Sequence, residues 1–114
     1  MVSSADHSVV VVLTTIGADT DATSLARTLV DEQLAACVNV LPTMTSTYRW
    51  KGVVEQEREQ QVIMKTTTVR LAALEARLRA LHPYELPEFL VLAADASSAY
   101  RAWVEESVAP PPRR

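Results

Sequence analysis

The sequence predicts an α+β domain, an antiparallel sheet backed by helices. Two apolar stripes at helical spacing alternate with short β-branched runs. A long strand pair, residues 38–50 and 53–66, turns on Lys51-Gly52. The composition is 48% hydrophobic and 22% charged over 114 residues, which suits one folded domain.

Each element follows from its residues. Val9-Val10-Val11-Val12-Leu13 is a continuous apolar run and predicts a central strand covered on both faces. A turn follows over residues 14–20, with Gly17 as the residue of positive φ. Thr20 or Asp21 can cap the next helix. Leu25, Ala26, Leu29 and Val30 form its apolar stripe, and it should end near Leu34. Val38, Val40 and Met44 share one parity, as do Tyr48 and Trp50. Pro42 demands an edge position or a bulge between them. The return strand begins with an acidic row, Glu55, Glu57 and Glu59, which is expected to be solvated, and becomes apolar at Val62-Ile63-Met64. Leu71, Leu74, Leu78 and Leu81 give a second helix. Phe89-Leu90-Val91-Leu92 predicts a buried strand. Ser97 or Ser98 caps a last helix with Tyr100, Trp103 and Val104 facing the core. The order β-α-β-β-α-β plus a helix is the ferredoxin-like split βαβ arrangement.

The hairpin is longer than an ordinary strand pair, and its distal half is polar or tipped with aromatics. It must project from its own domain, and its exposed Tyr48 and Trp50 are best used in packing against another chain.

The net charge of −3 and the pI of about 5.3 exclude a phosphate-binding basic field, so no nucleic acid is expected as a partner. Residues 9–13 are too short for a signal peptide's apolar region, and no run approaches the roughly 20 apolar residues of a spanning helix. No membrane association is therefore expected. A single cysteine allows no intrachain disulfide and favours a reducing compartment, hence a cytoplasmic location. Residues 1–7 and 109–114 are small, polar or proline-rich and are expected to be flexible ends of a single domain spanning 1–114.

Chemistry concentrates in His82-Pro83-Tyr84-Glu85-Leu86-Pro87-Glu88. Each proline fixes its own φ and pushes the preceding residue out of the helical region. The result is a semi-rigid bracket of polar groups at the edge of a core. Cys37 reads first as a small core residue and second as a soft metal ligand, with His82 and Glu88 as its partners. His82 can instead serve the last carbonyls of the preceding helix. Glu85 and Glu88 suit either solvent or a contact with a second subunit. No nucleophile-and-base arrangement appears, so no enzyme is expected and no cofactor is required. Copper or another divalent cation remains a candidate ligand.

Four stretches together resemble the CutA divalent-cation-tolerance family. They are Ala26 through Asp31-Glu32-Gln33-Leu34-Ala35-Ala36-Cys37-Val38-Asn39, then Ser46-Thr47-Tyr48-Arg49-Trp50-Lys51-Gly52, then Glu59 through Met64-Lys65-Thr66, and the 82–88 bracket. The resemblance spans residues 9–108. It implies a ferredoxin-like homotrimer of PII-like architecture, with the long hairpins joining neighbouring subunits. It also implies a role in divalent ion tolerance, copper in particular, through weak metal binding and without a catalysed reaction. The alternative from another class is a PII-like sensor or assembly scaffold that binds a small molecule or a partner protein, with metal incidental.

Overall fold

The structure, a computed structural model, describes residues 8–110. Of the expected flexible ends, 1–7 and 109–114, all but residues 109 and 110 lie outside the described residues. The elements are β1 (Val9–Gly17), α1 (Ala22–Asp31), β2 (Cys37–Val40), β3 (Met44–Trp50), β4 (Val53–Thr67), α2 (Leu71–Leu81), β5 (Leu90–Ala93) and α3 (Ser98–Ser107). The sheet runs β2-β4-β1-β5, with β3 continuing beside the outer half of β4. All its pairings are antiparallel. This is the ferredoxin-like plan with an extended hairpin and a third helix.

Strand parity sorts the two faces of the sheet. Val10, Val12, Thr14 and Ile16 of β1 lie in register with Thr66, Met64, Val62 and Gln60 of β4. All but Gln60 are buried, against Leu25 and Leu29 of α1 and Leu74 and Leu78 of α2. The other face, carrying Val11, Leu13 and Thr15, is only half-covered. The apolar run of β1 thus marks a central strand, but the described residues of one chain leave its second face only half-closed. The third helix lies against β4 and β1 and buries Val104 and Val108 apart from the main core.

The local signals act as their chemistry dictates. Asp21 caps α1 by accepting from the Ser24 N–H at 3.0 Å, and Ser97 caps α3 by accepting from the Tyr100 N–H at 3.2 Å. Positive φ occurs at Lys51 (50°) and Gly52 (82°), the pair a tight hairpin turn demands.

Five expectations are corrected. Gly17 does not take a positive φ; Gln33 does, at 57°, where α1 gives way to β2. The first helix stops at Asp31 rather than near Leu34, because that left-handed residue ends it. The strand predicted over residues 38–50 is broken at 41–43, because Pro42 cannot donate to the ladder. The strand after the bracket forms, but it is an exposed edge: Leu90, Val91 and Leu92 keep 52%, 40% and 53% of their surface. In α3, Val104 is buried, whereas Tyr100 and Trp103 pack on each other at 5.5 Å in the open.

Candidate functional site

The pairing of β1 with β4 ends at Gly17↔Glu59, and beyond it β4 continues outward with β3 alone. The residues after α2 fold back over this point of departure. His82 ends α2 in extended geometry (φ −80°, ψ 132°), as a residue before proline must. Its side chain is buried and is committed at both nitrogens. Nδ1 accepts the Tyr84 N–H at 3.1 Å, so Nε2 carries the proton and donates to the Thr15 carbonyl at 2.8 Å. The imidazole therefore ties the bracket to β1, and its ring stacks obliquely on Tyr84 at 4.7 Å.

Tyr84 then reaches across the sheet and donates its hydroxyl to Glu59 Oε2 at 2.6 Å. Gly17 lies beside this crossing: a Cβ there would meet the Tyr84 hydroxyl at an ordinary contact of 3.6 Å, and the tighter neighbour would be Asp19 Oδ1 at 3.0 Å. Burial, then the bond to Glu59 and the nearby charge of Glu59, raise the Tyr84 hydroxyl well above its ordinary value of 10. Glu59 is only 5% exposed, so the acidic row on β4 is not uniformly solvated, and its innermost member is covered by the bracket. Glu88 is half-buried; its Oε2 accepts from Gln61 Nε2 at 3.5 Å, and the same nitrogen donates to the Thr14 carbonyl at 2.8 Å.

Between hairpin and bracket lies a cleft of about 650 Å³. Its walls carry the aromatic rings of Tyr48, Trp50 and Tyr84. They also carry Asp19, Glu57, Glu59, Glu85 and Glu88, against which Arg58 is the one basic lining residue among the described residues. Burial, followed by the charges of Glu57, Glu59 and Glu55, raises the Tyr48 phenol as well, as a negative field must. At the hairpin tip, Lys51 Nζ stands 5.5 Å over the Trp50 ring and 3.9 Å from Glu85 Oε2.

Of the three residues the sequence offers as metal ligands, His82 and Glu88 belong to this end of β1, and Cys37 does not. Cys37 is half-buried at the start of β2, in register with Lys65, and its thiol lies 3.8 Å from Asn39 Oδ1. Lys65 is four residues along β4 from Gln61, which puts Cys37 about 13 Å from the level of Glu88. Among the described residues, no group of three or more His, Cys, Asp or Glu side chains is gathered to hold one ion. With both imidazole nitrogens engaged, His82 has no free lone pair to offer a metal. One chain's donors do not compose the Cys37, His82 and Glu88 set. Sequence reading also misses Thr15, Asp19 and Arg58 in the cleft wall; only the β1–β4 register brings them there.

A split βαβ sheet with a projecting hairpin and a bracketed acidic cleft defines a small α+β protein of the ferredoxin-like class. The comparisons narrow that class. The CutA1 divalent ion tolerance protein family matches residues 10–107, so the chain belongs to that family. The divalent-cation tolerance protein CutA of Thermus thermophilus is 43% identical over 98 residues, covering 85% of this chain and 95% of that one. The protein of the same name from Citrobacter koseri is 43% identical over 100 residues, 87% of each chain. The solved structure of CutA from Synechococcus elongatus is 41% identical and superimposes with a TM-score of 0.85 over 96% of this chain and 95% of its own. CutA1 of Pyrococcus horikoshii, carrying one substitution, reaches 0.82 at 29% identity over 89% and 99%.

Proposed function

We propose that this chain acts in divalent metal ion tolerance as a cytoplasmic homotrimer that binds the ion weakly and catalyses no reaction. The family match across residues 10–107 carries the reading. Copper is the ion to test first, because the single thiol supplies the chain's one thiolate, a soft ligand. Cys37 lies on β2, at the sheet edge opposite β5, and among the described residues no further His, Cys, Asp or Glu ligands gather with it, so its site would be completed by donors of another copy.

Calorimetric titration of copper near neutral pH tests this with wild type, Cys37→Ser and His82→Ala. Wild type should bind copper in preference to magnesium or calcium, which favour all-oxygen shells. Cys37→Ser should weaken binding. His82→Ala should lower the melting temperature yet leave copper affinity unchanged, because the imidazole is already committed to Thr15 and Tyr84. No copper binding by wild type overturns the metal reading; equal binding by Cys37→Ser removes the thiol from it.

The cleft supports a second reading, a PII-like sensor or scaffold that takes a small molecule. Its observation is specific: about 650 Å³ of space walled by three aromatic rings, a volume in the range of small-molecule sites.

A further inference from the structure

We infer that the bracket of residues 82–88 is a strap released by acid: it is pinned to β1 only while the His82 ring is neutral, and a proton on that ring frees Tyr84 and uncovers Glu59. The device stands apart from the metal and small-molecule readings above and lies within one chain.

The bracket is held by side chains rather than by a ladder. Among the described residues, 83–89 make no backbone-to-backbone hydrogen bond, although they join α2 to β5. Pro83 and Pro87 have no N–H to offer, and they stiffen what lies between them, so the segment can shift as one piece. Two of its fastenings are loose. Glu88 meets Gln61 at 3.5 Å, long for a hydrogen bond, and Glu85 meets Lys51 at 3.9 Å with side chains 77% and 71% exposed. The firm fastenings all run through His82 and Tyr84. They are Nε2 on the Thr15 carbonyl at 2.8 Å, the Tyr84 N–H on Nδ1 at 3.1 Å, and the Tyr84 hydroxyl on Glu59 at 2.6 Å.

Protonation turns this joint against itself. Neutral imidazole is a donor at one nitrogen and an acceptor at the other, whereas imidazolium is a donor at both. Here one nitrogen faces a carbonyl and the other faces an N–H, an arrangement that only the neutral ring satisfies. A proton on Nδ1 would point at the Tyr84 N–H, donor against donor. The residue is 7% exposed, so water does not solvate the added charge in place. The open bracket therefore holds the proton more tightly than the closed one, and falling pH drives opening.

The charged groups around the ring do not reverse this. Strands β1 and β5 carry none. Helix α2 brings Arg79 in its last turn, which opposes a positive ring. From β4 comes Glu59, engaged by Tyr84, and from the bracket come Glu85 and Glu88, which meet Lys51 and Gln61. Asp19, Glu57 and Arg58 lie in the cleft wall beyond Tyr84. The carboxylates favour a cation by charge alone, yet among the described residues none is bonded to either ring nitrogen. A proton on Nδ1 has no acceptor until the bracket lifts.

Nuclear magnetic resonance of the isotope-labelled full chain tests this, from about pH 7.5 to about pH 5, the range in which histidine changes charge. At the upper end the His82 ring should show a bare Nδ1 and a protonated Nε2. As pH falls, Nδ1 should take up a proton and the Tyr84 amide should shift with the same midpoint. Protection of that amide from hydrogen exchange, corrected for the intrinsic rate, should fall about tenfold or more, the worth of a hydrogen bond left unmade, while amides of α1 keep theirs. His82→Gln supplies a side-chain amide that can donate to the Thr15 carbonyl and does not titrate. Its Tyr84 amide should stay still over the same range, and its spectrum tells His82 from the chain's other histidine, His7. A ring that stays neutral down to about pH 5 overturns the inference. So does a ring that titrates while the Tyr84 amide stands still, or a Tyr84 amide that shifts in His82→Gln as it does in wild type. Protection lost from α1 and Tyr84 together is general unfolding and overturns it as well. If His82→Gln does not fold, the wild-type comparison of ring and amide decides alone.

Discussion

His82 shows how far one side chain can be read from sequence. Its place before Pro83 predicts extended geometry, which it has. Its chemistry suggests a metal ligand or a helix-end group; its backbone N–H does close the last turn of α2 on the Leu78 carbonyl, while its ring is the rivet between the bracket and β1. That outcome depends on the path of the loop over the Thr15 carbonyl, which no local pattern encodes. Tyr84 gives a test at this scale. Tyr84→Phe removes the donor to Glu59 and leaves a buried carboxylate without its partner, which should cost about 1–3 kcal/mol in chemical denaturation. The pH dependence has a definite sign. The folded hydroxyl titrates above its ordinary value of 10, so its contribution is fully present below pH 10. As pH rises past that value the unfolded chain loses the proton first, and stability falls until the folded hydroxyl also ionises. Wild type should lose stability between pH 9 and 11 more steeply than Tyr84→Phe. Parallel profiles would mean that the hydroxyl is not held by Glu59 in solution.

At the scale of elements, local chemistry specified types well and environments poorly. The Asp21 and Ser97 caps, the Lys51-Gly52 turn and the extent of β4 all follow from neighbouring residues. The fates of Glu59 and of residues 90–92 do not, because they turn on which elements lie beside them. An apolar run such as Leu90-Val91-Leu92 looks the same in a buried strand and in an edge awaiting a partner. The turn can be tested directly. Gly52 has a φ of 82° with nothing within 4 Å of an added Cβ, so Gly52→Ala meets no obstruction and carries backbone strain alone. It should lower stability by about 1–2 kcal/mol in a urea melt. An unchanged melt would show that the hairpin tip relaxes without consequence for the fold.

The whole molecule displays apolar surface that one chain does not cover. Leu90, Val91 and Leu92 lie on an unpaired sheet edge, Val53 and Val54 flank the hairpin tip with Tyr48 and Trp50, and Tyr100 and Trp103 stand open on α3. A flat apolar edge strand is a template for pairing, and natural proteins leave one open only where a partner closes it. The hairpin supplies what such an edge needs, a strand pair extending beyond the β1–β4 register along a molecule 45 Å in its longest dimension. One chain's hairpin laid against the next chain's edge is a head-to-tail contact, and such contacts are satisfied for every copy only when the ring closes. Three copies are the closure we expect. Light scattering of the purified chain should then give about three times its 12.5 kDa at micromolar concentration. Trp50→Ala should loosen the assembly by about 3–5 kcal/mol at each contact if the ring is buried there, while far-ultraviolet circular dichroism of the mutant stays near wild type. Leu92→Lys places a charge on the edge itself and should shift the mass towards the single chain. A wild-type chain that scatters as a monomer would leave these apolar surfaces in water and remove the trimer, together with any metal site completed between copies.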